Sequence, residues 1–343
     1  MVINISVGNA WDVLRGARSV PPGLAASSRP RRRVFSASLE QAEQFFRAAA
    51  AVGPATQPVL VFYGLSQAGR AIAASAKALP GDRWELVGHG IHTVEPQRPL
   101  TEVRVTTDPA GNQGSFVRLS ELLDSPVWGR EPVTLAELWD CLPLNTHAPL
   151  DPAHTGRTTP LLVAHRSLSD EPHPLASVPV TYFPPRVLEA DDTVTAFLAY
   201  LEHFPDALGY DSYVRKSMNG AEPALDRYQD GWSEVVMNWA DPEGRHAFPD
   251  EHLDRLRRIT RRHNGAWYFT PAVAKSARGI HSLMAWWAVL HALSTLARYQ
   301  PAQWARHIDV DASVHAVPIE RLLAKACHVL PVLIAETLDE VTT

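Results

Sequence analysis

Tyr63, Ser66 and Arg70 follow one another at steps of three and four, and Gln67 falls one turn from Tyr63. On a helix their polar ends gather beside the apolar stripe that carries Phe62 and Leu65. A planar guanidinium in such a group can hold phosphate or carboxylate through paired hydrogen bonds, leaving Tyr63 or Gln67 to orient the ligand. The same side chains would also serve as an internal polar network, because a buried arginine needs partners with or without a ligand. Shortly after, Gly88-His89-Gly90 frees the backbone for a turn and presents an imidazole, with His92 close behind. Arg70 and His89 are therefore the candidate catalytic pair, and Tyr63 and Gln67 candidate ligand contacts. The alternative for His89 is a hydrogen-bonded residue of a helix-to-strand turn.

Two other groups carry charge or aromatic surface. Arg298-Tyr299 closes a long apolar segment, where a positive charge meets the negative end of a helix dipole, and Pro301 and Trp304 then suit a packed corner. Arg298 and Tyr299 are also candidate ligand contacts. The run Arg255, Arg257, Arg258, Arg261, Arg262 and His263, followed by Trp267 and Tyr268, could track a phosphate backbone and stack bases. Arg257, Arg258 and Arg261 are the nucleic-acid candidates, although acidic Asp250, Glu251 and Asp254 ahead of them also fit a solvated helix face.

Common cofactor and metal chemistry finds no motif. There is no phosphate-cradling GxxxxGK[ST] loop, no GxGxxG after a strand and no GxSxG elbow, so no cofactor is expected. HExxH and paired-cysteine spacings are missing as well, so no metal is expected. Cys141 and Cys327, the two cysteines, stand far apart in apolar helical patterns and read as free, buried thiols. No apolar run approaches a membrane span, and residues 1–20 lack the pattern of a signal peptide, which leads to a cytoplasmic protein with no membrane partner. The net charge of -5 disfavours a surface that attracts nucleic acid everywhere and leaves local basic patches open.

The elements that must position these residues are mostly helices. Residues 18–34, with their prolines and the run Arg29-Pro30-Arg31-Arg32-Arg33, read as an exposed connector. Ser38 with Gln41 forms a capping-box signature ahead of Leu39, Ala42, Phe45, Phe46 and Ala49. The stretch from Pro58 to Leu79 reads as a buried central helix, whose Gly64 and Gly69 suggest that a neighbour approaches closely. Short alternating runs at 102–107, 115–118, 161–165 and 178–183 read as strands, with a capped helix from Thr134 and Glu137 between them. Helical spacing returns after Asp192, again over 250–263, over 276–299 and from Pro318, where Pro331 is expected to kink or split the last helix.

PVLVFYGLSQAGRAIAA from Pro58, Gly88-His89-Gly90-Ile91 and HSLMAWWAVLHALSTLARYQPAQW from His281 together resemble the YaaC-like family, over about 11–337. That resemblance implies a bacterial relative and carries over no catalytic residue. The helix bearing Phe62 and Tyr63 and a later basic residue, followed by Gly-His-Gly, is also similar to part of the HEPN helical bundles, which implies action on, or binding of, RNA or a nucleotide. Their nuclease signature of an arginine followed by a histidine on one helix is met at its longest spacing by Arg321 and His328, but Leu322 stands where that signature has a polar residue.

The resulting expectation is a predominantly helical α+β protein. Helices from 1–92 and 191–343 join in one bundle, and an α+β insertion over 93–190 lies on its side. RNA or a nucleotide is the first expected partner. The rivals are an interaction protein that presents apolar surface around Trp286 to a partner or a second copy, and a small-molecule enzyme whose pocket lies between insertion and bundle.

Overall fold

Apolar residues recurring at three and four along the chain build the longest elements. The computed structural model describes residues 8–164, 172–210, 212–214, 226–227, 233–240, 244 and 246–343. Helices α1 (Ala10–Ser19) and α2 (Leu24–Ser27) lead into an antiparallel pair, α3 (Arg29–Ala50) and α4 (Gln57–Ser75). Phe35, Leu39, Ala42, Phe46 and Ala49 bury one face of α3, whereas α4 is buried on nearly every side, as a central helix must be.

The arginine run forms the first turns of α3 and not a connector; Arg29, Arg32 and Arg33 are solvated as expected, and Arg31 is not. Pro30 sits in the first turn, where its missing N–H costs nothing. Arg31 is buried because its guanidinium donates to the carbonyls of Ala74 (3.3 Å), Gly81 (2.9 Å) and Leu79, satisfying the end of α4 and the loop beyond it.

A three-stranded antiparallel sheet follows, β1 (Ile91–Val94), β2 (Arg104–Thr107) and β3 (Val133–Thr134), interrupted by α5 (Ser115–Leu122). Residues 115–118, expected as a strand, begin α5 instead. Its first amides find acceptors in the preceding turn, Ser115 donating to Gly88 and Phe116 to His89, and so short an alternation does not separate strand from helix. Thr134 and Glu137 cap α6 (Leu135–Asp140) in the reciprocal box the spacing predicts.

The larger antiparallel sheet runs in the order β6 (Ser212–Val214), β8 (Ser233–Ala240), β5 (Leu175–Thr181), β4 (Leu161–Val163), β10 (Ala266–Phe269), β9 (Arg261–His263), with β7 (Asp226–Arg227) also on β8. Helices α7 (Pro185–Leu188), α8 (Thr193–Leu201) and α9 (Pro249–Ile259) accompany it, and Asp192 caps α8 as expected. Residues 250–263 are not one helix. After Ile259 the chain becomes β9 and returns through Asn264-Gly265, both at positive φ, the pair favoured in two-residue hairpin turns.

The last elements are α10 (Ser282–Tyr299), α11 (Pro301–His307) and α12 (Ala316–Thr342). Pro331 does not split α12, which continues through it as one helix. Together these elements form an α+β, predominantly helical fold.

The described residues form two apolar cores. One draws on residues 10–150 and 273–338, the other on 161–269. The small sheet and α6 thus belong with the helical bundle, and α8 and α9 with the larger sheet. Within the bundle α4 meets α10 directly, the rings of Phe62 and Trp287 standing edge to face at 6.2 Å. Gly69 permits this approach, and Gly64 that of α3 on another side. A Cβ at Gly69 would lie 2.6 Å from the Trp287 ring, and one at Gly64 would lie 3.0 Å from Phe46. Cys141 is buried and Cys327 half-buried, both as free thiols.

Candidate functional site

The contact between α4 and α10 places Phe62 at the centre of a ring of nitrogen-bearing side chains. His89 approaches it at 5.4 Å between centroids and His291 at 5.3 Å, and the two imidazoles are 6.1 Å apart. His89 arrives on its turn because Gly88 and Gly90 adopt φ of +70° and +67°, and because α5 holds the turn by its first amides and by the Ser115 hydroxyl, which donates to Gly88 at 2.7 Å. Gly90 also packs against Gly114 so closely that a Cβ on Gly114 would fall 2.4 Å from the Gly90 Cα.

On the other side, the α10 terminus delivers Arg298. Its Nη1 donates to the Tyr63 hydroxyl at 2.8 Å and its Nε to the Ser294 carbonyl at 3.2 Å. The guanidinium lies 5.5 Å from the Tyr63 ring centroid and 4.9 Å from that of Tyr299, so two aromatic faces fix its plane. Tyr63 in turn stacks on Phe45. The Tyr63 hydroxyl accepts from Arg298, which leaves its own proton free to donate outward.

Charge around this ring is uncompensated. Among the described residues neither Arg298 nor Arg70 enters an ion pair, and Arg70 is exposed. His92 does pair, with Asp108 at 2.8 Å. Burial, then the nearby Arg298, Arg70 and His92, hold the His89 pKa below its ordinary value. Burial, then His89, Arg298 and His92, push His291 down to about 3. Both rings are therefore neutral at neutral pH. His291 Nδ1 has Thr93 Oγ1 at 3.1 Å, whereas the enclosed Nδ1 of His89 has no hydrogen-bond partner. A neutral imidazole beside two unpaired guanidiniums can accept a ligand's proton while they hold its anionic oxygens.

Of the residues picked from sequence, Tyr63, His89, Arg298 and Tyr299 come together here, Arg70 acts electrostatically on His89, and Gln67 is half-buried one turn from Tyr63. His291 was missed. Its signal was legible, since His291, Ser294 and Arg298 repeat on α10 the three-and-four spacing of Tyr63, Ser66 and Arg70 on α4. The basic run does not form one exposed face. Arg257 pairs with Asp254 at 2.6 Å and Arg258 is exposed, but Arg261 is buried on β9, donating to the Asp124 carbonyl at 2.9 Å with Asp206 at 3.9 Å. Arg321 and His328 are exposed on α12, with Leu322 buried between them.

No group of three or more His, Cys, Asp or Glu among the described residues could hold a metal ion. No helix among them is long and apolar enough to cross a membrane. The family model described as YaaC-like Protein matches residues 21–338. No curated protein and no solved structure matches the chain.

Proposed function

The chain belongs to the YaaC-like family, and we propose that its helical bundle, working in the HEPN manner, binds or acts on RNA or a nucleotide through the ring of side chains around Phe62. The observation that carries this reading is a pair of guanidiniums without ion-pair partners among the described residues, Arg298 held on the Tyr63 hydroxyl at 2.8 Å and Arg70 exposed two turns along α4 from Tyr63. A phosphate is the ligand that such a pair fits, since guanidinium donors match its oxygens in plane and its charge offsets theirs. Tyr63 supplies a further donor, and half-buried His89 a neutral base. Arg70 and His89 would be the residues that touch the reacting group; Tyr63, Gln67, Arg298 and Tyr299 would orient it.

Thermal shift tests this, with inorganic phosphate, nucleotides and short RNAs added to the native chain and to Arg70→Ala and Arg298→Ala. A ligand at about one hundred times its Kd stabilises the folded state by roughly 2.7 kcal/mol. The shift should shrink in both variants, and a ligand whose shift survives both sinks the site.

One observation favours a second reading, that of a small-molecule enzyme. A cleft of about 950 Å³ opens between the two cores, lined by Glu137, Asp140 and Lys275 on the bundle side, Glu202 and His203 on the sheet side, and Arg157 from the segment joining them. The interaction reading has lost its proposed surface, because Trp286 is fully buried.

A further inference from the structure

The run at the start of α3 leaves three arginines unexplained once Arg31 is accounted for. Arg29, Arg32 and Arg33 are exposed, and none forms an ion pair with a described carboxylate. Arg32 and Arg33 stand three and four residues after Arg29 and so both neighbour it on the helix surface, their side-chain origins about 5–6 Å from its own. With Ala26 and Ser27 they line an open hollow of about 580 Å³ between α2 and α3.

Electrostatics alone disfavours this arrangement. The N-terminal end of a helix carries partial positive charge, which favours acidic side chains there, yet the first turn of this 22-residue helix has none. Three guanidiniums also repel one another. The surface is nonetheless held in shape. Arg31 ties the same turn to the carbonyls of Ala74, Leu79 and Gly81, and Arg32 donates to the Ala26 carbonyl at 2.5 Å while keeping its charge unneutralised. A like-charged cluster set against a helix dipole costs stability unless an anion covers it.

We propose that Arg29, Arg32 and Arg33 form a binding surface for the phosphate backbone of single-stranded RNA. The three charges cluster within little more than one helical turn, close enough for neighbouring phosphates of one strand to meet them together. Small residues line the rest of the hollow, so no apolar wedge is offered to a lipid surface. This proposal stands on observations separate from the ring around Phe62, at the opposite end of α4.

The test measures binding of a short fluorescein-labelled oligouridine, by anisotropy across a salt series, to the native chain, to R29A/R32A/R33A and to R29K/R32K/R33K. The alanine variant should lose about tenfold or more in affinity at low salt, and the slope of log K against log salt should fall by about 2, three phosphates at roughly 0.7 each. The lysine variant should retain most of that slope. The alanine variant should also melt no lower than the native chain, because its removed charges oppose the helix dipole. Arg298→Ala carried in parallel separates this surface from the ring, since any loss of slope it causes should add to that of the triple alanine variant and not replace it. An unaltered slope in the alanine variant, no oligouridine binding at low salt, or tighter binding to phosphatidylserine vesicles than to RNA would each overturn the proposal.

Discussion

The indole nitrogen of Trp286 donates to Nε2 of His263 at 3.1 Å, and both side chains are buried. The bond joins α10 of the helical bundle to β9 at the edge of the larger sheet, and it exists only while the imidazole is neutral, because a protonated ring has no acceptor.

Acid should therefore loosen the protein. Burial pushes His263 down to about 4, and burial with neighbouring positive charge pushes His291 down to about 3, from an ordinary value of 6.5. Each folded-state pKa lies below the unfolded one, so the stability is fully present above about pH 6.5 and is lost as pH falls toward the folded values. Each imidazole contributes up to about 1.4 kcal/mol per pH unit in that window. Urea midpoints between about pH 7 and pH 4.5 should fall steadily, and His291→Gln should flatten the slope. A midpoint that does not move over that range would refute it.

At α4 the two glycines should differ in what they tolerate. A methyl at Gly69 meets the buried Trp287 ring at 2.6 Å and Leu119 at 2.8 Å, so Gly69→Ala should destabilise by about 1–3 kcal/mol despite the better helix propensity of alanine. A methyl at Gly64 meets Phe46 at 3.0 Å, and Gly64→Ala should cost less. Chemical denaturation of the two variants gives the order directly; equal or reversed effects would contradict the packing.

Tyr63→Phe isolates one hydrogen bond of the ring. The aromatic face beneath Arg298 remains, but the hydroxyl that accepts from Nη1 is gone. A bond of this kind contributes about 0.5–1.5 kcal/mol, so phosphate affinity should fall roughly twofold to tenfold. Because Tyr63 is only half-buried, the melting temperature should scarcely change. Calorimetric titration with inorganic phosphate checks the first part and a thermal melt the second.

Much of the helical structure was legible because its helices carry clear apolar periods and, as at Thr134 in the bundle and Asp192 beside the larger sheet, local caps. The glycines of α4 likewise announced close neighbours, Trp287 at Gly69 and Phe46 at Gly64. What escaped depends on partners far away in sequence. Arg31 looks like part of a solvated run until carbonyls 43 to 50 residues away are brought to it. Arg261 looks like the continuation of a basic helix until Asn264-Gly265 turns it into a hairpin strand. The same holds for the ring: the spacing on α4 showed one half, but the repeat of that spacing on α10, which brings His291, acquires meaning only once the two helices touch.

Glu336 carries the largest single prediction. It is buried on α12, accepts from the amides of Asn264 at 3.1 Å and Gly265 at 2.7 Å in the β9–β10 hairpin, and forms an ion pair with the Arg262 guanidinium at 3.0 Å. These bonds fasten the larger sheet to the helical bundle through a turn whose amides have little else to meet. Truncation by Glu336→Ala leaves those donors unsatisfied together, and breaking a buried pair from one side costs about 3–5 kcal/mol. Glu336→Gln keeps an acceptor oxygen for the turn but removes the charge opposite Arg262, so its cost should be smaller. Urea unfolding should rank the native chain above Glu336→Gln and Glu336→Ala last. Limited proteolysis should cut the alanine variant at the Asn264-Gly265 turn at concentrations that leave the native chain whole. If the alanine variant unfolds at the native midpoint, the carboxylate does not fasten the sheet to the bundle.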